Sequence, residues 1–480
     1  MRHGTFKRLL SLLLAMTLVL SLGLTAAFAE DGGGQNTDQQ ITSVTVTAND
    51  TTGTTVSANT GVNISADQDK KTITVGADNS GGNSLPATVT PVTVEVNNDV
   101  SNPDIAGGTT PSNAPAAVTV TGVADSGSAS APAVTVDLNN VSAGSDSTAG
   151  IIYGIQTNGP NVTVEVGTVT ATVTNDKVED ESQNNPSAQA VYAQGSTVNA
   201  NTVQATGYEA TAVRGYSGSE INVGTAAATA VHNALAVDAN NTGTKIEVKA
   251  AEATATGTES EAIAIQVTNA TVNAGSAAAE TKNGTAYGIS VKEGGGNVDA
   301  GSVTATSVNG EAIAVKAINR DTVVTVKNDV TAASTIGTAN GIEADNLARV
   351  TAGSVEANGG ENSSTATAVS AAGGAEVTAD SVTATSVNGE ALAVEAKNGD
   401  TVVTVKNDVT ATSANGTATG IKAANGAQIK ADSAAVTATS EKGTANGIEA
   451  DNGASVTAGS VTATAGVDGR SATADRKSVV

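Results

Sequence analysis

From about residue 148 onward the chain repeats one short phrase: an aliphatic residue, a polar residue, an alanine. One stretch reads Ile342-Glu-Ala344, Val350-Thr-Ala352 and Val355-Glu-Ala357, and a later one reads Ile448-Glu-Ala450, Val456-Thr-Ala458 and Val461-Thr-Ala463. A period of two sets Val, Ile and Ala on one side of a strand and Thr, Glu or Lys on the other. Three short strands separated by turns such as Asp451-Asn-Gly453 predict a triangular coil with its aliphatics inside. The aliphatic that opens each unit falls at Ile155, Val191, Val213, Val237, Ile265, Ile289, Val315, Ile342, Val369, Val394, Ile421 and Ile448. The mean spacing is roughly 26 residues, a solenoid period. The longest interval contains an acidic insertion, Asn175 to Pro186, which reads as a loop.

A lone coil buries too few aliphatics to offset the entropy of ordering its backbone. The coils must therefore stack, each completing its neighbour's hydrogen-bond ladder. No proline follows Pro186, as expected if every strand donates to the next. The predicted fold is all-β, a parallel β-helix of about 12 or more coils with three short strands each. Alanine at inner positions implies a thin core, and an open end of Thr/Val strands would need a cap. Residues 41–147 carry shorter alternating segments such as Val92-Thr-Val-Glu-Val96, with Gly, Asn, Asp and Pro between them. They form a β-rich N-terminal region, either a cap or irregular coils, for which an Ig-like sandwich is the rival. The repeat array proper is assigned to residues 148–470.

The ends read differently. Residues 1–29 have the build of a signal peptide: Arg2, Lys7 and Arg8, an apolar run from Leu9 to Leu24, then Ala27-Phe28-Ala29 at the cleavage site. Residues 30–40 are a polar leader expected to be disordered. Residues 471–480 are read as a truncated end. Their last six, Asp475-Arg-Lys-Ser-Val-Val480, match the translation of a common sequencing-adapter read. The expectation is a secreted, extracellular chain attached to the cell envelope, with no membrane span after cleavage. Its anchor would lie in a missing C-terminal part.

Composition narrows the chemistry. The 480 residues contain no Cys and no Trp, and both Met, both Phe and one of two His lie within the first thirty residues. Disulfide, thiolate–metal and Cys-nucleophile chemistry are excluded. A net charge of −24 argues against nucleic acid as a partner.

Few residues remain as candidates. His232 lies at a coil junction and reads as a turn residue. Glu179-Asp180-Glu181 reads as a solvated charge run. Gly294-Gly-Gly296 is a glycine turn without a phosphate-loop context. The turn carboxylates Asp329, Asp345, Asp400, Asp408 and Asp451 could stack into weak calcium sites, but the calcium-repeat motif is absent. Tyr153, Tyr192, Tyr208, Tyr216 and Tyr287 cluster early in the array. They are expected to fill wider coils, with a glycan-stacking patch as the alternative. Thr-Ala-Thr recurs at Thr304/Thr306, Thr383/Thr385, Thr410/Thr412, Thr437/Thr439 and Thr462/Thr464, and the last four pairs are expected to stack as an outward ladder. No catalytic, cofactor or metal residue is assigned.

The unit from Gly443 to Thr464 resembles the right-handed parallel β-helix repeats of bacterial surface and adhesin-like proteins, and Lys7-Arg-Leu-Leu-Ser-Leu-Leu-Leu14 resembles Gram-positive Firmicute signals. The resemblance implies a cell-surface stalk or adhesin without catalysis, whose partners are glycans or host and neighbouring surface proteins. The alternatives are a β-helix polysaccharide lyase or hydrolase, and an ice-binding threonine-ladder solenoid.

Overall fold

The computed structural model describes residues 43–47, 56–58, 63–67, 72–76, 92–96, 99–102, 105, 114–121, 134–146, 150–175, 185–292, 294–362 and 365–476. Residues 1–40, read from the sequence as a signal peptide and leader, and Glu179-Asp180-Glu181 lie outside the described residues. Among the described residues there is no helix.

The chain is a parallel β-solenoid. All twelve aliphatic markers stand in one ladder, each paired with the marker a coil before and a coil after. Val118 extends this ladder before Ile155, and Asp475 occupies its place after Ile448. The markers from Ile155 to Ile421 are fully buried, so the period-two reading places the right side inward.

One coil illustrates the rest. Thr338–Asp345 forms the first face. The chain turns at Asn346 and Leu347, both with positive φ, and enters Arg349–Gly359. This long strand bends near Gly353, so its first part makes the second face and its last part the third. A Cβ on Gly353 would come within 2.3 Å of the Asn328 carbonyl in the coil before, so this coil leaves no room for a side chain there. On the first face the residue before each marker is always Gly or Ala, as in Gly341 and Ala368. It too is buried, and the interstrand register passes over it.

Two polar columns close the turns. Ser440 Oγ accepts from Gly443 N at 2.8 Å and donates to the Gly416 carbonyl of the coil before at 2.8 Å. Ser413 does the same between Gly416 and Gly389, with both contacts at 2.9 Å. At the opposite corner Thr401 Oγ1 donates to the Lys397 carbonyl at 2.8 Å and accepts from Gly374 N at 3.0 Å.

The described strands of the N-terminal region pair in two ways. Val92–Val96, Val100–Asn102 and Ala116–Thr121 already stack in parallel on the next coil. Before them Ser43–Thr47, Asn63–Asp67 and Thr72–Gly76 pair antiparallel with one another. Ser43–Thr47 also pairs antiparallel with Ala116–Thr121, and Val56–Ala58 with Val92–Val96. These antiparallel pairings occupy the edges that the first coil would otherwise leave open.

Candidate functional site

The outer side of the first face carries most of the chemistry. The outward residue two places before each marker, directly ahead of its Gly or Ala, is flanked along its strand by two other outward columns. Although outward, Gln189, Thr211, Ile263 and Ile313 are nearly inaccessible, because the flanking columns shield them. The result is a trough. It holds a pocket of about 400 Å³ whose floor includes Thr211, Leu235 and Ile263. Glu209, Asn233 and Glu261 stand on one wall, and Arg214 and Gln266 on the other.

Arg214 is held in place. Its Nε donates to Asp238 Oδ2 at 2.7 Å and its Nη1 to Gln189 Oε1 at 3.4 Å. The Asp238 side chain is 4% exposed and that of Arg214 23%. Burial alone would lower the guanidinium pKa, but the Asp238 carboxylate and the Tyr216 hydroxyl outweigh it and raise it, so the group stays charged. On the other wall Glu209 Oε1 accepts from Asn185 at 2.9 Å and Asn233 at 3.4 Å.

The tyrosines do not fill the coils. Tyr192 lies between inward Val191 and Ala193, and its ladder partners are Gln156 and Arg214. Its ring stacks obliquely on Tyr153 at 5.2 Å and on Tyr216 at 5.6 Å, forming an aromatic row at the pocket's end. Burial, followed by Tyr192, raises the Tyr153 pKa. Tyr208 faces His232 at 5.6 Å, where the register slips between Gly207 and Glu209. His232 is thus a half-buried residue at the coil junction, packed on an aromatic ring.

Beyond the pocket, Tyr287 anchors a second cluster. Lys292 Nζ lies 4.8 Å and Lys316 Nζ 5.7 Å from its ring centroid. Burial, then Glu261, Glu311 and Glu343, push its pKa up to about 12. Asn340 Nδ2 bridges Glu311 Oε1 at 3.1 Å and Glu343 Oε1 at 2.7 Å, and Lys316 meets Glu343 Oε2 at 3.2 Å. Burial, then the Glu343 charge, raises the Glu311 pKa. The sequence alone does not join the residues of either cluster. The residue after each marker runs Tyr192, Arg214, Asp238, Gln266, Ser290, Lys316, Glu343 down the stack, and only the ladder register shows these to be neighbours.

A larger groove, about 930 Å³, follows the corner between the second and third faces. Several of its polar groups pair with one another: Asn222 donates to Asn199 at 2.7 Å, Asn199 to Glu165 at 2.6 Å, and Lys327 meets Asp299 at 2.9 Å.

The four later Thr pairs stack in register on the third face, above Glu356 and Asn358. Two of the turn carboxylates serve their own turns: Asp345 accepts from Asn346 N at 2.7 Å and Asp451 from Asn452 N at 2.8 Å. Asp329 accepts from Ser354 Oγ. Among the described residues no group of three or more His, Asp or Glu could hold a metal ion. Gly294, Gly295 and Gly296 all have positive φ, in a turn.

Fold and surface together define a β-solenoid repeat protein with a troughed outer face. No family model, curated protein or solved structure matches the chain.

Proposed function

We propose that this protein is a secreted or cell-surface stalk of the adhesin-like kind, which binds glycans or surface proteins and catalyses nothing. The supporting observation is the unbroken ladder of twelve markers in a cysteine-free chain. At about 4.8 Å per coil it gives a rod of roughly 50 Å, ordered by nearest-neighbour contacts. Such a scaffold presents surfaces at fixed spacing. Several of its polar groups pair with one another, as in the corner groove.

The Tyr287 cluster favours a second reading, a polysaccharide-cleaving enzyme using Glu311 and Glu343 as acid and base. Against it, Asn340 and Lys316 already occupy these carboxylates. An ice-binding role would rest on the threonine ladder, which spans four coils and stops at Glu356 and Asn358.

The test is to incubate the purified chain with pectins, alginates and host glycans. Binding of at least one glycan of the panel, without product, is the expected result. Released oligosaccharide that disappears in Glu311→Gln would overturn the stalk reading in favour of the enzyme.

A further inference from the structure

We propose that the first-face pocket is a binding site for a short, uncharged oligosaccharide. This deepens the adhesin reading and rests on it. The pocket is lined from the coil of Ile151 to that of Glu261, four coil steps or about 19 Å at the usual strand spacing. That length suits a linear chain of several sugar rings.

Three features select the ligand. The first is the floor. Leu235, half-buried, offers apolar surface in a trough whose walls are polar, the division shown by a pyranose ring between its C–H faces and its hydroxyl rim. The second is hydrogen bonding. Arg214 uses its Nε and one Nη1 contact on Asp238 and Gln189, which leaves guanidinium N–H groups for a ligand oxygen in the pocket it lines. Glu209 and Glu261 on the opposite wall accept from sugar hydroxyls. The fixed guanidinium loses little freedom on binding.

The third feature is charge. Arg214 is neutralised by Asp238, and Glu261 by Lys292 at 3.6 Å, while the partners of Glu209 among the described residues are the amides of Asn185 and Asn233. The pocket is therefore slightly negative and does not attract uronates or sialylated chains. A peptide is also disfavoured. The strands beneath the pocket are paired on both edges, so no main-chain edge is free to add a strand.

The columns themselves supply variants that the fold accepts. Asn340 and Asn446 stand in the Leu235 column, and Ser290 and Ser370 stand in the Arg214 column. Leu235→Asn and the double variant Arg214→Ser/Asp238→Ser should therefore fold. Leu392→Asn makes the same change in that column outside the pocket.

The experiment is calorimetric titration of the full chain with cello-, xylo-, manno- and N-acetylchito-tetrasaccharides, with oligogalacturonate and with a mixed peptide library. At least one neutral tetrasaccharide should bind. Leu235→Asn and the double variant should each weaken it about tenfold, the worth of one good contact, with unchanged melting. Leu392→Asn should bind as wild type does. No binding by any neutral sugar, or tighter binding of oligogalacturonate or peptide, overturns the proposal. Neutral-sugar binding that both pocket variants retain also overturns it but leaves the adhesin reading intact. Cleavage of a bound tetrasaccharide would sink the non-catalytic reading and leave the pocket assignment standing.

Discussion

At the scale of the residue, the solenoid depends on which side of the strand a side chain takes. Ile342 is fully buried in the marker ladder. Ile342→Asp leaves a charge without a partner inside a thin core and should cost several kcal/mol, about 3 or more. The sequence suggests Glu343→Lys as the harmless neighbour, but Glu343 pairs with Lys316 and accepts from Asn340. Reversing its charge would set two lysines against each other. Thr351, exposed on the second face, is the better control, and Thr351→Lys should shift stability by less than about 0.5 kcal/mol. Equal melting shifts for Ile342→Asp and Thr351→Lys would refute the inward assignment. Turn residues follow a different rule. Leu347 has φ of 67°, at the place where sister turns have Gly374, Gly426 and Gly453. A branched side chain is strained there, and its exposed position gives little packing in return. Leu347→Gly should therefore stabilise the chain by about 0.5–1 kcal/mol even after glycine's extra unfolded-state entropy. Thermal or urea unfolding of the pair decides it, and a lower midpoint for the glycine variant would reject the strain.

At the scale of the element, what holds one coil to the next is both apolar and polar. Ser440 Oγ joins its own turn to the Gly416 carbonyl below, and it is fully buried. Ser440→Ala orphans a buried carbonyl and an N–H, so a loss of about 1–3 kcal/mol is expected, read as a lower denaturation midpoint. A wild-type midpoint in the alanine variant would show the staple to be idle. The Ser-x-x-Gly spacing is visible at Ser386, Ser413 and Ser440, yet a lone sequence gives it no more weight than any polar turn. The carboxylate columns are similar. Glu311 is isolated in sequence from Glu343, but one coil of register brings them to the same Asn340 amide. Because folding raises the Glu311 pKa, the folded state binds the extra proton between the unfolded and folded values. The penalty is absent below the unfolded value, grows as pH rises through that window and is complete above the folded value. Glu311→Gln should accordingly gain stability over wild type at neutral pH and lose that advantage on acidification. A difference between the two proteins that does not change with pH would remove the electrostatic cause.

At the scale of the whole molecule, the fold was legible because it is periodic. The markers chosen from the sequence between Ile155 and Ile448 are the same residues that pair in the ladder, and period two gave their inward side. The N-terminal strands were less legible, since Ser43–Thr47 and Thr72–Gly76 share their alternation with the coils and only pairing direction separates them. The trough was illegible for a different reason: its residues belong to different coils, and the tyrosines were assigned inward because aromatics usually fill cores. Periodicity also sets the final expectation. Residues 416–442 make one circuit, bounded by equivalent corners: Ser413 pairs with Ser440, and a Cβ on Gly443 would meet the Gly416 carbonyl as one on Gly416 meets that of Gly389. Deleting Gly416 to Lys442 joins Asn415 to Gly443 and brings Ala391 over Ala445, each of which now pairs with Ala418. Every column then continues without a change of side. The new neighbours also keep Val394 over Ile448, both aliphatic, although Glu395 then faces Glu449 and loses Lys422. In a nearest-neighbour array the deletion removes one coil and one interface, so the shortened chain should fold with a single cooperative transition and a slightly lower midpoint. Deleting half a circuit, residues 416–428, joins corners that are not equivalent and should abolish the transition. Circular dichroism melting of the two deletions decides between them. A whole-coil deletion that fails to fold would mean that stability is not shared coil by coil, and the pocket several coils away could not then be treated as independent of it.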